Sequence, residues 1–133
     1  MATPAQITAA TREDLLNAMR GEAFAYASYM LFAETARRNG KSGIADLFEA
    51  TARTELLEHF AEQAALTGLV GGDADNLRHA IEGESHEIDV LYPSYAEHAR
   101  AAGDAAAADR LDEIRRDELD HLEAFREALE SIA

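Results

Sequence analysis

Cysteine is absent from this sequence of 133 residues, which excludes disulfide bonds, zinc–thiolate sites and iron–sulfur clusters within the chain. Only two prolines occur, so little interrupts long helices. No apolar run approaches the roughly 20 residues that a membrane-spanning helix needs. The N-terminal Met1-Ala2-Thr3-Pro4 lacks the basic-then-apolar order of a signal peptide. Together these absences predict a cytoplasmic protein with no membrane partner.

Positive charge is also scarce, because 12 Lys and Arg residues face 26 Asp and Glu residues and leave a net charge of −14. Such a charge repels nucleic acid and anionic lipid, so neither is an expected partner. Abundant Ala, Glu, Leu and Arg with few β-branched residues predict an all-α protein. The length fits one domain, residues 1–133, that can bury a core without covalent staples.

Capping residues and glycines divide the sequence into four predicted helices. The first helix is expected from Thr11-Arg12-Glu13-Asp14, which resembles a capped start, to Asn39-Gly40, and the second from near Ser42-Gly43 to Thr67-Gly68. The third should follow the capping residues Asp73-Ala74-Asp75-Asn76 and close at Gly103, and the fourth, capped by Asp104, should run to the C-terminus. Pro93 is expected to kink the third helix rather than end it. Because each helix has about 25–30 residues and the loops are short, neighbours should run antiparallel. The prediction is an antiparallel four-helix bundle.

Acidic residues interrupt the apolar stripe of every predicted helix near its midpoint. In the fourth helix, Glu118 and His121 are three residues apart and leave the same face. A carboxylate in such a stripe costs roughly 3–5 kcal/mol unless it is paired or bound to a cation. The four predicted stripes are Leu15, Met19, Glu22, Tyr26, Tyr29, Ala33; Ile44, Phe48, Thr51, Glu55, Glu58, Glu62; Leu77, Ile81, Glu84, Ile88, Leu91, Tyr95, with Glu87 beside Glu84; and Ala107, Leu111, Ile114, Glu118, His121, Phe125, Ala128, Ile132.

The midpoints of antiparallel helices share one level of a bundle, so these polar residues should meet. Their mutual repulsion requires about four compensating positive charges, which two divalent metal ions supply. Oxygen-rich ligation with little histidine suits iron or manganese better than zinc or copper. The predicted ligands are Glu22, Glu55, Glu58, Glu84, Glu87, Glu118 and His121. The alternative is a metal-free acidic bundle that serves as an interaction module.

An internal repeat relates the two halves of the sequence, about residues 11–68 and 73–132. Residues 34–56 and 97–119 match at nine of 23 positions with an offset of 63, whereas Gly21-Glu22 matches Gly83-Glu84 with an offset of 62. The second half therefore holds one extra residue between Glu84 and residue 97. A π-bulge near Pro93 is expected to absorb it.

The first predicted helix is apolar around most of its circumference between Ala23 and Phe32. One core-facing stripe cannot use so wide an apolar surface. We therefore expect a second buried surface between subunits, in a symmetric homodimer.

Several of these motifs together resemble the ferritin-like di-iron domain of the rubrerythrins and the related symerythrins. The motifs are Gly21-Glu22, Thr51-Ala52-Arg53-Thr54-Glu55, Gly83-Glu84-Ser85-His86-Glu87, Leu91-Tyr92-Pro93 and Glu118-x-x-His121. The resemblance spans nearly the whole chain. It implies a non-haem di-iron centre that reduces hydrogen peroxide, and it matches all the predicted ligands to ligand positions. It also matches Tyr29 and Tyr92 to tyrosines that hydrogen-bond the ligand carboxylates.

Two departures from the family pattern shape the expected function. Rubrerythrins usually continue into a cysteine-ligated rubredoxin domain, which this sequence lacks, so an external electron-donor protein is expected. In the first half the family has Glu-x-x-His, whereas this sequence reads Glu55-Leu56-Leu57-Glu58-His59. Glu58 is the preferred ligand and His59 the alternative.

A spare carboxylate, Glu87 or Glu58, is expected to alternate between metal ligand and proton carrier. The competing function for the same ligands is ferroxidase or iron-handling activity.

Overall fold

A computed structural model describes residues 6–133 as four helices without a strand. The first helix is Ala9–Arg38 and the fourth is Ala105–Ile132. The second helix is α-helical over Ser42–Thr54 and Ala61–Thr67, and the third over Asp73–His86 and Tyr92–Ala102; π-helical segments, Glu55–Phe60 and Glu87–Leu91, lie within them. The all-α prediction is confirmed. Met1-Ala2-Thr3-Pro4, on which the signal-peptide interpretation rests, lies outside the described residues.

Within residues 6–133, no helix is both long enough and apolar enough to cross a membrane. The predicted cytoplasmic location stays a prediction.

The helix ends lie close to their predicted positions. Gly40, Gly68 and Gly103 have φ angles of +69°, +70° and +84°, the left-handed conformation that closes a helix and suits glycine. The predicted start of the first helix was wrong by three residues, because Thr8 and not Thr11 is the capping residue. The Thr8 side chain accepts a hydrogen bond of 3.2 Å from the backbone N–H of Thr11, which places Thr11 inside the first turn.

The chain forms two compact helical hairpins. The first contains the first two helices and ends at Val70, and the second begins at Gly71 and contains the other two. Small side chains let the helices of the first hairpin approach, since Ala33, Ala36 and Ala45 are buried together beside Phe48. The boundary falls in the loop between the two predicted repeats, while the single-domain and repeat interpretations stay predictions.

The π segment Glu87–Leu91 directly precedes Tyr92-Pro93, so the predicted π-bulge near the proline is confirmed. Pro93 is the second residue of the resumed α-helix, and because it has no N–H it leaves the preceding π-helical turn one backbone donor short. The π segment Glu55–Phe60 was not predicted. In each segment a side chain of the same hairpin hydrogen-bonds a carbonyl: Arg115 Nε donates to Ile88 O at 2.7 Å, and Gln63 Nε2 donates to His59 O at 3.1 Å.

The π segments explain where the predicted inward stripes were wrong. A π-helix closes i→i+5 hydrogen bonds, so one turn takes more residues than an α-helical turn and the inward face moves along the sequence. Within the first segment Glu58 is exposed, and after it Glu62 is exposed whereas Ala64 is buried. After the second, Tyr95 is 49% exposed and Ala96 is 1% exposed.

The predicted stripes were also wrong at helix ends. Ala45 and Ala108 are buried in place of Ile44 and Ala107, because tight glycine turns and not the apolar pattern set the phase of these helix starts. In those turns Lys41 N donates to Ala36 O at 2.8 Å and Asp104 N donates to Ala99 O at 2.9 Å. Ile132, in the last turn, is exposed.

We predict that Arg115→Met lowers the free energy of unfolding by about 1–2 kcal/mol, because the Ile88 carbonyl loses a charge-assisted donor. The matched control is Arg116→Met on the same helix, where the arginine is exposed and the change should stay within about 0.5 kcal/mol. Urea unfolding of both variants, followed by circular dichroism, measures the difference. Equal stability of the two variants would contradict the prediction.

Candidate metal centre

The first hairpin brings Glu22, Glu55 and His59 together. Glu22 comes from the first helix, while Glu55 and His59 come from the π segment of the second. His59 Nδ1 lies 2.8 Å from Glu55 Oε2 and 3.8 Å from Glu22 Oε2. Each residue offers one ligand atom, and the three atoms lie within 4.8 Å of one another. We call this group the first triad.

The second hairpin brings Glu84, Glu118 and His121 together in the same way. Glu84 comes from the third helix, three residues before its π segment, and the other two come from the fourth helix. His121 Nδ1 lies 2.7 Å from Glu118 Oε2 and 3.9 Å from Glu84 Oε1. The second triad therefore has the same residue types as the first, and its two nitrogen–oxygen distances differ from those of the first by about 0.1 Å.

Crowding of carboxyl groups perturbs the pKa values of both triads. In the first, a hydrogen bond between Glu22 and Glu55 raises the pKa of Glu22 and lowers that of Glu55. In the second, burial followed by a hydrogen bond to Glu118 raises the pKa of Glu84 to about 7, while that hydrogen bond lowers the pKa of Glu118. One carboxyl group of each pair therefore favours a proton.

The histidines respond to the same carboxylates. Hydrogen bonds to Glu55 and Glu118 raise the pKa values of His59 and His121, respectively. Each triad thus attracts positive charge, as a proton or as a cation.

The donor set fits a metal ion by a further observation. Glu84 Oε2 is buried and has no hydrogen-bond partner. An unpaired buried carboxylate oxygen is costly, and a bound cation would satisfy it. Two carboxylates and one imidazole per triad suit iron or manganese.

The predicted ligands Glu58 and Glu87 and the predicted tyrosines Tyr29 and Tyr92 do not belong to either triad. Glu87 is half-buried near Tyr92, whose pKa is raised by burial and then by the charges of Glu87, Glu118 and Glu84. Glu58 is exposed and lines a surface cavity with Arg53, Thr54 and Leu57.

Tyr29 contacts two aromatic rings, Phe32 and Phe48, with ring centroids 6.3 and 5.8 Å away. The ligand set and the hydrogen bonds of both tyrosines to carboxylates stay predictions.

Comparison with known proteins gives the family. The sequence model of the rubrerythrin family matches residues 55–129. Rubrerythrin of Porphyromonas gingivalis is 36% identical, over 84% of this chain and 62% of that protein. Rubrerythrin-2 of Clostridium acetobutylicum is 32% identical over 92% of this chain and 74% of that protein, and nigerythrin of Nitratidesulfovibrio vulgaris is 32% identical over 92% and 67%.

The chain belongs to the rubrerythrin family. Membership and the all-helical structure confirm the predicted fold class, which is all-α and ferritin-like. Iron binding and oxidoreductase chemistry fit the rubrerythrin family and the two Glu/His triads. This rubrerythrin-family chain spans between 62% and 74% of the length of the three relatives named above.

We predict that the metal-free protein loses stability as the pH rises from about 5.5 to 8. The raised pKa of Glu84, about 7, means that the folded state holds a proton which the unfolded state has already released above the ordinary value of 4.5. Stability falls with pH wherever the folded state binds more protons, and the raised pKa values of His59 and His121 act in the same direction. Differential scanning calorimetry in chelator should show a Tm several degrees lower at pH 8.

Two comparisons test the cause. Glu84→Gln should flatten this pH dependence, whereas Glu82→Gln, an exposed position on the same helix, should leave it unchanged. Chelation itself should lower the Tm of metal-loaded protein by several degrees at neutral pH. A Tm that rises between pH 5.5 and 8 in chelator would show that the triads do not control stability.

Proposed function

We propose that this chain is a non-haem di-iron oxidoreductase that reduces hydrogen peroxide to water with electrons from an external donor protein. The observation that carries the proposal is the pair of matching Glu-Glu-His triads, one in each hairpin. Two equivalent donor sets favour two ions of the same kind held with similar strength. Iron is the proposed metal, with manganese as a substitute.

The reaction consumes two electrons and two protons for each peroxide and yields two waters. Bound ferrous iron would supply the electrons and Lewis acidity. The residues of the chain would supply the protons. Glu87, half-buried beside Tyr92, is the proposed proton carrier, and Glu58 is the candidate from the first hairpin. The raised pKa of Tyr92 keeps its hydroxyl protonated at neutral pH, so this group can donate a hydrogen bond to a carboxylate or to peroxide.

Retention of iron separates this function from iron handling. A protein that passes iron onward needs at least one weakly held ion, whereas a peroxide reductase keeps both ions through turnover. Because the distances within the two triads are similar, we expect neither triad to hold its ion much more weakly than the other, which favours retention of both ions. The oxidised centre then needs two electrons from a donor, and we assign that step to another protein.

We predict that hydrogen peroxide oxidises the reduced, iron-loaded protein at least about tenfold faster than air-saturated buffer does, a difference of about 1.4 kcal/mol in barrier. Anaerobic stopped-flow mixing, followed by ferric absorbance, measures both rates. About two irons per chain should remain bound after each cycle, as elemental analysis would show.

Glu118→Ala should abolish the reaction, because Glu118 contributes to the second triad and contacts His121. Glu123→Ala, an exposed acid on the same helix, should react as the unchanged protein does. Oxidation by dioxygen at an equal or higher rate, with release of iron, would support ferroxidase activity and contradict the proposal.

We also propose that the protein is a symmetric homodimer. Phe24 and Leu31 on the first helix are 77% and 64% exposed. Large apolar side chains exposed along one helix are typical of an interface rather than of a monomer surface.

Light scattering at micromolar concentration should therefore give twice the chain mass of 14.5 kDa. Phe24→Glu should shift the protein toward monomer, because the charge would be buried at the interface. Glu13→Gln, at an exposed polar position of the same helix, should leave the dimer intact. A monodisperse monomer of the unchanged protein would overturn the dimer.

A further inference from the structure

We propose that the π segment Glu55–Phe60 makes His59, and not Glu58, the metal ligand that accompanies Glu55 in the first hairpin. The inference rests on the proposed function, since it assumes that the triads hold metal. It assigns a spacing of four residues, Glu-x-x-x-His, to a position where the second hairpin uses three, Glu118-x-x-His121.

The first argument is the match between the triads. Both histidines direct Nδ1 toward the carboxylates, at 2.8 Å from Glu55 and 2.7 Å from Glu118. Both also lie at similar distances from the carboxylate of the facing helix, 3.8 and 3.9 Å. His59 therefore occupies in its hairpin the place that His121 occupies in the other, whereas Glu58 is exposed.

The second argument is the winding of the helix. In an α-helix, with 3.6 residues per turn, residues three and four apart both lie near one face. In the wider π-helix a turn takes more residues, so the residue four positions on stays close to that face and the residue three positions on rotates away from it. The winding over Glu55–Phe60 thus favours His59 and moves Glu58 toward solvent.

The third argument is the sequence register of the two hairpins. Glu55 and Glu118 are 63 positions apart (118 − 55), whereas His59 and His121 are 62 apart (121 − 59). The π segment therefore accommodates one extra residue in the first hairpin. The residues that follow keep the offset of 62. The partly or fully buried Phe60, Gln63 and Thr67 match, 62 positions later, residues that are also partly or fully buried: Leu122, Phe125 and Leu129.

Contacts around the segment support the same orientation. Gln63 Nε2 donates to the carbonyl oxygen of His59 at 3.1 Å and so ties the backbone at this residue to the next turn. Glu58 instead lies beside Arg53 and Leu57 at the surface cavity. A ligand role for Glu58 would require this turn to rewind as α-helix.

Metal affinity tests the inference without using turnover. The full-length metal-free protein is titrated with Co²⁺ under nitrogen, and the visible absorption bands give the stoichiometry and the affinity of each ion. His59→Gln should weaken one of two bound ions at least about tenfold, as removal of a ligating side chain does, and His121→Gln should do the same. Glu58→Gln removes the alternative ligand next to His59 and should leave both affinities unchanged.

Deletion of Leu57 tests the role of the π segment directly. It converts Glu55-Leu56-Leu57-Glu58-His59 into Glu-x-x-His, the spacing of the second hairpin, and should retain two Co²⁺ ions with a similar spectrum. If the deleted protein does not fold, as judged by circular dichroism, the three substitutions still decide the matter, because His59, Glu58 and His121 are exposed.

The outcomes separate this inference from the proposed function. Loss of affinity in Glu58→Gln with none in His59→Gln would overturn the inference and leave the metal centre standing. No change in either variant, while His121→Gln loses an ion, would also overturn it. Absence of stoichiometric Co²⁺ binding by the unchanged protein would overturn both the proposed function and the inference.

Discussion

Repulsion between carboxylates inside each hairpin is the constraint on which the site depends. Two glutamates from facing helices offer oxygens within 4.8 Å of each other in each triad, and such a pair is not fully ionised without a proton or a cation between the two groups. The buried apolar side chains of the first hairpin are mostly alanines, so little hydrophobic burial is available there to offset that repulsion. A proton or a cation at the triads would therefore contribute to the stability of the hairpins.

The two π segments lie at or next to the triads and change which residues of their helices face inward. The first segment contains Glu55 and His59 of the first triad. The second segment begins three residues after Glu84 and ends before Tyr92. Each segment changes the inward phase of its helix by about one residue, which permits a polar face at the site and an apolar face further along the same helix. Side chains of Gln63 and Arg115 bind carbonyls of these segments and so satisfy backbone groups in the wider turns.

The number and type of the helices and the glycine-closed ends of three of them could be predicted from the sequence, because they follow from local signals such as Gly40, Gly68 and Gly103. The acids could be found because a carboxylate is conspicuous in an apolar stripe, and Glu22, Glu55, Glu84 and Glu118 are the glutamates that the structure gathers. Positions beyond a π segment could not be predicted from a constant period. Glu62 and Tyr95 illustrate this, since both were assigned inward from the α-helical period and both are exposed.

The histidines show why the carboxylates were easier to find. Glu55 and Glu118 have side chains only 15% and 16% exposed, whereas the side chains of His59 and His121 are 48% and 57% exposed. The carboxylates thus lie inside each hairpin, where the apolar pattern marks them, and the imidazoles lie at its rim, where no pattern constrains their neighbours. The signal that could have identified His59 was the change of offset from 63 to 62 between the repeats, which occurs between Glu55 and His59. One extra residue between Glu55 and His59 is tolerated only if the helix widens there. The change of offset therefore marks the π segment, and it also marks His59 as the residue that the segment turns toward the carboxylates.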